Sequence, residues 1–207
     1  LLVRGGQEAV SPGTLHIEGD WSHAAFYLVA GAIGRGEIRL TGLDPQSAQG
    51  ERAVVEILRD MGAEIRWEGE TLDSRASKLH GLRVDCAQVP DLVPILAVAM
   101  AAAEGDSRIT GAARLRIKES DRLSAMAAAL TAAGADVSEL PDGLIIRGGK
   151  RLHAAKIEGC NDHRIVMAMT MASEIADGEL TITDAEATAK SAPAFWREFE
   201  HLGGLAR

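Results

Sequence analysis

Three alanine-rich apolar stretches recur along the chain: "HAAFYLVAGAI" from His23, "DLVPILAVAMAAA" from Asp91 and "HRIVMAMTMASEI" from His163. Each runs for about three turns with little polar content on any face, which predicts a buried helix. After each comes a short stretch with alternating apolar positions: "GEIRLTGL" from Gly36, "GDSRITGA" from Gly105 and "GELTITDA" from Gly178. These predict strands, and their starts lie about 70 residues apart.

The repeat extends on both sides of this helix and strand. Ahead of the apolar helices lie "LHIEGDWS", "LRVDCAQVPD" and "AKIEGCNDH", each a short predicted strand ending in polar residues. Behind them, after a polar loop, comes an amphipathic helix marked by Val54, Ile57, Leu58 and Met61, by Leu123, Met126, Ala127 and Leu130, and by Phe195, Phe199 and Leu202. Gly62 and Gly134 are positioned as C-caps, with strands "AEIRW" and "ADVSEL" following. The expected fold is α/β (α+β): three βαβαββ-type units about a pseudo-threefold axis, the last completed by a segment outside this chain. In that arrangement Asp20, Asp91 and Asp162 occupy equivalent helix starts, and three converging helix N-termini favour an anion.

Composition narrows the function classes. The chain has 207 residues, 46% of them hydrophobic, and a net charge of -8, so it can bury a core and has no general affinity for nucleic acid or an anionic membrane. An anionic ligand must therefore be met by locally focused cations. Cys86 and Cys160 have neither CxxC spacing nor metal-ligating neighbours, which predicts a reducing, cytoplasmic setting, no disulfide and no metal. The longest apolar runs are too short to span a bilayer. The start "LLVRGG" lacks the order of a signal peptide and reads as the middle of a strand, as if cut from a longer protein.

Charge concentrates where the repeat changes element. "RIKESDR" (116–122) leads into the second helix of the second unit; a helix starting near Lys118 would set Lys118 and Arg122 on one face, i and i+4. Such a pair can grip a carboxylate or phosphate, Arg122 bidentately. Taken alone, the cluster is better read as a solvated helix start with internal pairs, Lys118 to Asp121 or Glu119 to Arg122. "NDHR" (161–164) opens an apolar helix with a capping Asn161 or Asp162, then His163 and Arg164. "AKSAPAFW" (189–196) places Lys190 just before a helix with Pro193 near its first turn, and Asp91 is positioned to cap the apolar helix that follows it. Since these residues fall at equivalent junctions, they read as one site: several cations and two carboxylates around a strongly anionic ligand.

"RIKESDR", "NDHRIVMA", "AKSAPAFW" and "IEGDWSHAAFYLVAGAI" together resemble, in order and over almost the whole chain, the C-terminal half of bacterial 5-enolpyruvylshikimate-3-phosphate synthases. The resemblance implies a two-domain enzyme with its site in the inter-domain cleft, moving an enolpyruvyl group from phosphoenolpyruvate to the 5-hydroxyl of shikimate 3-phosphate without metal or cofactor. It makes residues 19–207 the C-terminal domain and residues 1–18 an overhang carrying the last strands of the N-terminal domain, the partner lobe. It implies that Lys118, Arg122, Arg164 and Lys190 hold phosphoenolpyruvate, that His163 lines the pocket, that Asp91 takes the hydroxyl proton and that Glu119 serves proton transfer at the methylene carbon. Arg114 stands where many members carry asparagine, which alters an expected contact to shikimate 3-phosphate. The alternatives are a lobe of the related UDP-N-acetylglucosamine enolpyruvyl transferase and a non-catalytic anion-binding module.

Overall fold

A computed structural model describes residues 1–207. In the first unit, α1 (Trp21–Ile33), β1 (Glu37–Leu40), α2 (Val54–Asp60), β2 (Glu64–Glu68) and β3 (Thr71–Arg75) follow one another. The second unit comprises β4 (Arg83–Asp85), α3 (Val93–Ala102), β5 (Asp106–Thr110), α4 (Arg122–Ala132), β6 (Asp136–Leu140) and β7 (Gly143–Arg147). The third holds β8 (Leu152–Ile157), α5 (His163–Met171), β9 (Ala176–Ile182) and α6 (Phe195–His201). Each unit builds its own sheet, in the orders β1-β3-β2, β4-β5-β7-β6 and β8-β9. The β4/β5 and β8/β9 pairs are parallel and the other pairs antiparallel.

The apolar stretches became helices because only an interior position can bury all their faces. α1, α3 and α5 pack on one another at the centre, and α3 is buried from Val93 to Ala101. The sheets surround this three-helix core. All three amphipathic helices end alike: in α2 the N–H of Gly62 reaches the Arg59 carbonyl and that of Ala63 the Leu58 carbonyl. Gly134 with Ala135 repeats this after α4, and Gly203 with Gly204 after α6. These are Schellman motifs, with each first glycine at positive φ.

The strand expected at "LHIEG" does not form, and residues 1–18 contain no strand at all. In the other units the corresponding strand pairs in parallel, setting Val84 beside Ile109 and Ile157 beside Ile182. The equivalent Ile17 should stand beside Leu40, yet Leu15 and Ile17 are 69% and 75% exposed, and the single backbone bond to this side runs from Gly19 N–H to the Gly42 carbonyl. With neither side chain buried and no ladder bond to β1, nothing offsets the entropy cost of ordering this segment as a strand. Beside the open edge of β1 lies a hollow of about 580 Å³, lined by Ile38 and Leu40 of β1, His23 of α1 and Glu198 and Leu202 of α6. Three of its polar groups pair with one another: Glu198 accepts from the Tyr27 hydroxyl at 2.6 Å and lies 3.1 Å from His23 Nε2.

Candidate functional site

The charges of "RIKESDR" divide into two sets. Arg116 is structural: it donates to the Pro141 and Leu140 carbonyls at 2.8 and 2.6 Å and to Asp121 and Glu139 at 2.9 and 2.8 Å, pinning the segment to the β6–β7 hairpin. Asp121 caps α4 by accepting from Ser124 N–H at 3.1 Å. The helix therefore begins at Arg122, and Lys118 lies ahead of it at the end of a 3-10 turn, Ala113–Ile117. The expected i, i+4 face is absent because Asp121 out-competes Lys118 as the helix start.

Lys118 and Arg122 meet nonetheless, at Asp91. Lys118 Nζ lies 3.4 Å and Arg122 Nη1 2.9 Å from Asp91 Oδ1. Arg164 completes the ring, its Nη1 donating to the Asp91 carbonyl at 3.2 Å and its Nη2 standing 3.6 Å from Asp91 Oδ2. Asp91 does not cap a helix; it sits in a 3-10 turn, Pro90–Leu92, that delivers its carboxylate to these cations and runs into α3 with Pro94 in the first turn.

Beneath this ring lies Arg122, with its side chain 1% exposed. It makes four hydrogen bonds to three carboxylates: two to Asp162 at 2.8 and 3.2 Å, one to Asp91 at 2.9 Å and one to Glu119 at 2.6 Å. The bidentate grip expected for a ligand is taken by Asp162, which is fully buried and also accepts from the Ser120 hydroxyl at 3.0 Å and the Arg164 N–H at 3.0 Å. Asp162 is thus at once the cap of α5 and the anchor of Arg122.

Lys190 approaches from the far side of the same loop. Its ammonium donates to the Asn161 carbonyl and, at 2.9 Å, to Asn161 Oδ1. Cys160 and Asn161 both adopt positive φ, 53° and 49°, a conformation that L-residues avoid and that turns this loop toward Lys190. Pro193 stands just ahead of the cap Ala194, next to the first turn of α6. His163 is buried beside Glu119, its Nδ1 3.9 Å from Glu119 Oε1 and without a hydrogen-bond partner. Arg114 is exposed and donates to the Ala87 carbonyl, bracing the loop that leads to Asp91.

A model of the EPSP synthase (3-phosphoshikimate 1-carboxyvinyltransferase) family matches residues 1–199. The chain belongs to the EPSP synthase family. Among curated relatives, the 3-phosphoshikimate 1-carboxyvinyltransferase of Clostridium novyi is 43% identical over 205 residues, covering 99% of this chain and 47% of that protein. The one from Halobacterium salinarum is 44% identical over 210 residues, covering 98% of this chain and 48% of that protein. The chain therefore spans about half the length of the curated relatives it matches. The EPSP synthase of Acinetobacter baumannii superposes with a TM-score of 0.78 at 34% identity, over 89% of this chain and 46% of that one. The enolpyruvyl transferase NikO from Streptomyces tendae gives 0.73 at 18% identity, over 92% and 44% of the two chains, which shows the shared fold alone.

Asp91, Lys118, Glu119, Arg122, His163 and Arg164 are thus brought together, with Arg122 as their buried hub, while Lys190 touches Asn161 of the loop ahead of Asp162. Asp162 and Ser120 escaped the sequence reading as site-builders: a carboxylate ahead of an apolar helix signals a cap, and nothing in one sequence announces that it also receives an arginine 40 residues away.

The surroundings shift the protonation of two members of this cluster. Burial works to raise the Asp162 carboxyl, but the hydrogen bonds and charge of Arg122, with those from Arg164 N–H and Ser120, outweigh it and hold it below the ordinary 3.8. Burial, then the charge of Arg164, depresses His163 below its ordinary 6.5, so the ring is neutral near pH 7. A histidine depressed on folding binds its proton more readily in the unfolded chain, so its contribution is complete above 6.5 and declines as pH falls through the folded value. Asp162 acts in the same sense lower down, its contribution present above 3.8 and lost as pH falls through its depressed value. The urea midpoint is accordingly expected to fall as pH drops from 6.5 toward 5, and His163→Gln is expected to flatten that decline.

Proposed function

We propose that this chain is one lobe of an EPSP synthase that transfers the enolpyruvyl group of phosphoenolpyruvate to the 5-hydroxyl of shikimate 3-phosphate, releasing inorganic phosphate, in the cytoplasm. Residues 19–207 form the lobe, and residues 1–18 belong to the connection with a second lobe that closes the site. The observation that carries this reading is the convergence of Lys118, Arg122 and Arg164 on Asp91, with Glu119 and His163 alongside.

The charge count explains why two lobes are needed. Lys118, Arg122 and Arg164 are balanced by Asp91, Glu119 and Asp162, so the cluster is pre-assembled but nearly self-neutralised. Lys190 adds one positive charge. Two multiply anionic substrates need further cations, which the second lobe supplies as it closes and excludes water.

In the reaction, Lys118, Arg164 and Lys190 contact the carboxylate and phosphate of phosphoenolpyruvate, and Arg122 contributes charge from below and holds Asp91 and Glu119 in place. Asp91 takes the proton of the attacking hydroxyl as its oxygen bonds to the central carbon. Glu119 serves the matching proton transfer at the methylene carbon. Expulsion of phosphate and removal of a proton from that carbon then restore the double bond, so that no net redox change occurs. Neutral His163 packs beside Glu119, with its Nδ1 buried and unpaired.

The test is to combine the chain with the complementary half of a relative and to follow phosphate release from phosphoenolpyruvate and shikimate 3-phosphate. Release is expected only with both halves and both substrates. No release from the pair, where the intact relative turns over, contradicts the reading.

A further inference from the structure

The first unit brings no charged side chain of its own to the cluster, yet α1 begins beside it with a built hydrogen-bond chain. Arg164 is mostly buried, and its 3.6 Å approach to Asp91 Oδ2 is too long to orient it. Two hydrogen bonds do orient it: Nη1 to the Asp91 carbonyl at 3.2 Å and Nη2 to the Ser22 hydroxyl at 3.1 Å. A serine hydroxyl has one proton, and Ser22 gives it to Asp20 Oδ1 at 2.8 Å, which leaves its lone pairs for the guanidinium. Asp20 is itself fixed as the cap of α1, accepting from the N–H groups of Ser22 and His23 at 2.8 and 3.2 Å.

The platform under this chain is rigid. Gln49 clamps the helix start from both sides, accepting from Trp21 N–H at 2.9 Å and donating to the Gly19 carbonyl at 2.9 Å, while Trp21 is buried in the core. We infer that Ser22, oriented by Asp20, is a positioning residue that holds the Arg164 guanidinium at the angle phosphoenolpyruvate requires. The three equivalent aspartates then share one task. Asp162 aligns Arg122, Asp91 gathers Lys118 and Arg164, and Asp20 aligns Arg164 through Ser22.

This inference rests on the function proposed above, and the test separates the two. In the enzyme completed by its second half, Ser22→Ala keeps both backbone bonds to Asp20, so the cap of α1 and the thermal midpoint are retained. Its KM for phosphoenolpyruvate is expected to rise by about three- to tenfold, the size of one ordinary hydrogen bond, because the serine acts on substrate only through the guanidinium, with a smaller change in kcat. Ser22→Thr, which restores the hydroxyl, is expected to recover the parent KM. Arg164→Ala serves as the reference and is expected to raise KM at least as far. A Ser22→Ala enzyme indistinguishable from its parent while Arg164→Ala is impaired overturns the positioning role and leaves the proposed function standing. A raised KM accompanied by a lowered midpoint, with no recovery in Ser22→Thr, reduces Ser22 to a structural residue and also overturns it. Parent-like KM in both Ser22→Ala and Arg164→Ala removes Arg164 from the site and overturns both.

Discussion

Asp162→Ala is expected to destabilise the chain by about 3–5 kcal/mol, because it leaves a buried guanidinium without the partner that takes two of its hydrogen bonds. For a domain of this size that lowers the thermal midpoint by roughly 10 °C. The magnitude follows from burial: Arg122 is 1% exposed and Asp162 fully buried, so water cannot replace the lost carboxylate. Pairs such as Arg147 with Asp136, at 2.9 Å but about half exposed, would lose about 1 kcal/mol or less on the same treatment. Removing both members together, as in Arg122→Met with Asp162→Leu, is expected to recover much of the stability while leaving Asp91 and Glu119 without their organiser. Thermal melts of the single and double variants check this. A loss below about 1 kcal/mol in Asp162→Ala would show that Arg122 is not a buried hub.

The second large effect is on turnover. Asp91→Asn, in the enzyme completed by its second half, is expected to reduce kcat by about 10²- to 10⁴-fold, the range for removing a general base. KM for phosphoenolpyruvate is expected not to rise, and this split is the informative part. Asparagine keeps an oxygen for Arg122 Nη1, and loss of the negative charge leaves Lys118 and Arg164 less neutralised than before. An anion is therefore held at least as well while the proton acceptor is gone. Steady-state kinetics decide: a raised KM with unchanged kcat would make Asp91 a binding group with no part in proton transfer.

Much of the architecture was legible in the sequence because the repeat carries its own punctuation. The alanine-rich stretches could only be interior helices, and "GEIRLT", "GDSRIT" and "GELTIT" each became the strand that follows one. Gly62 and Gly134 marked helix ends by a conformation that glycine favours, and Gly203 did so unnoticed. The failure at Leu15–Ile17 has a different cause: alternation shows that a segment can form a strand, while pairing depends on an edge and a face that local pattern does not encode. Of the site, the junction residues were legible as a set, since charge beside apolar helices at equivalent places is hard to explain otherwise. What stayed hidden was the division of labour. Lys118, Glu119 and Arg122 face the cluster while Arg116 and Asp121 hold the segment in place, because the 3-10 turn and the Asp121 cap rotate neighbouring charges to opposite sides. Likewise, Asp162 read as a cap and Asp20 as no more than an equivalent helix start, and their roles toward arginines depend on the packing of α1, α3 and α5.

The central claim is that cations from separate units act as a single anion site once the second lobe is in place. It is tested most directly by titrating phosphoenolpyruvate into the isotope-labelled chain paired with the complementary half and following the amide signals of Lys118, Arg164 and Lys190. The account predicts that all three move along one isotherm with a common Kd. Signals that shift with different affinities, or at only one of the three positions, would contradict it.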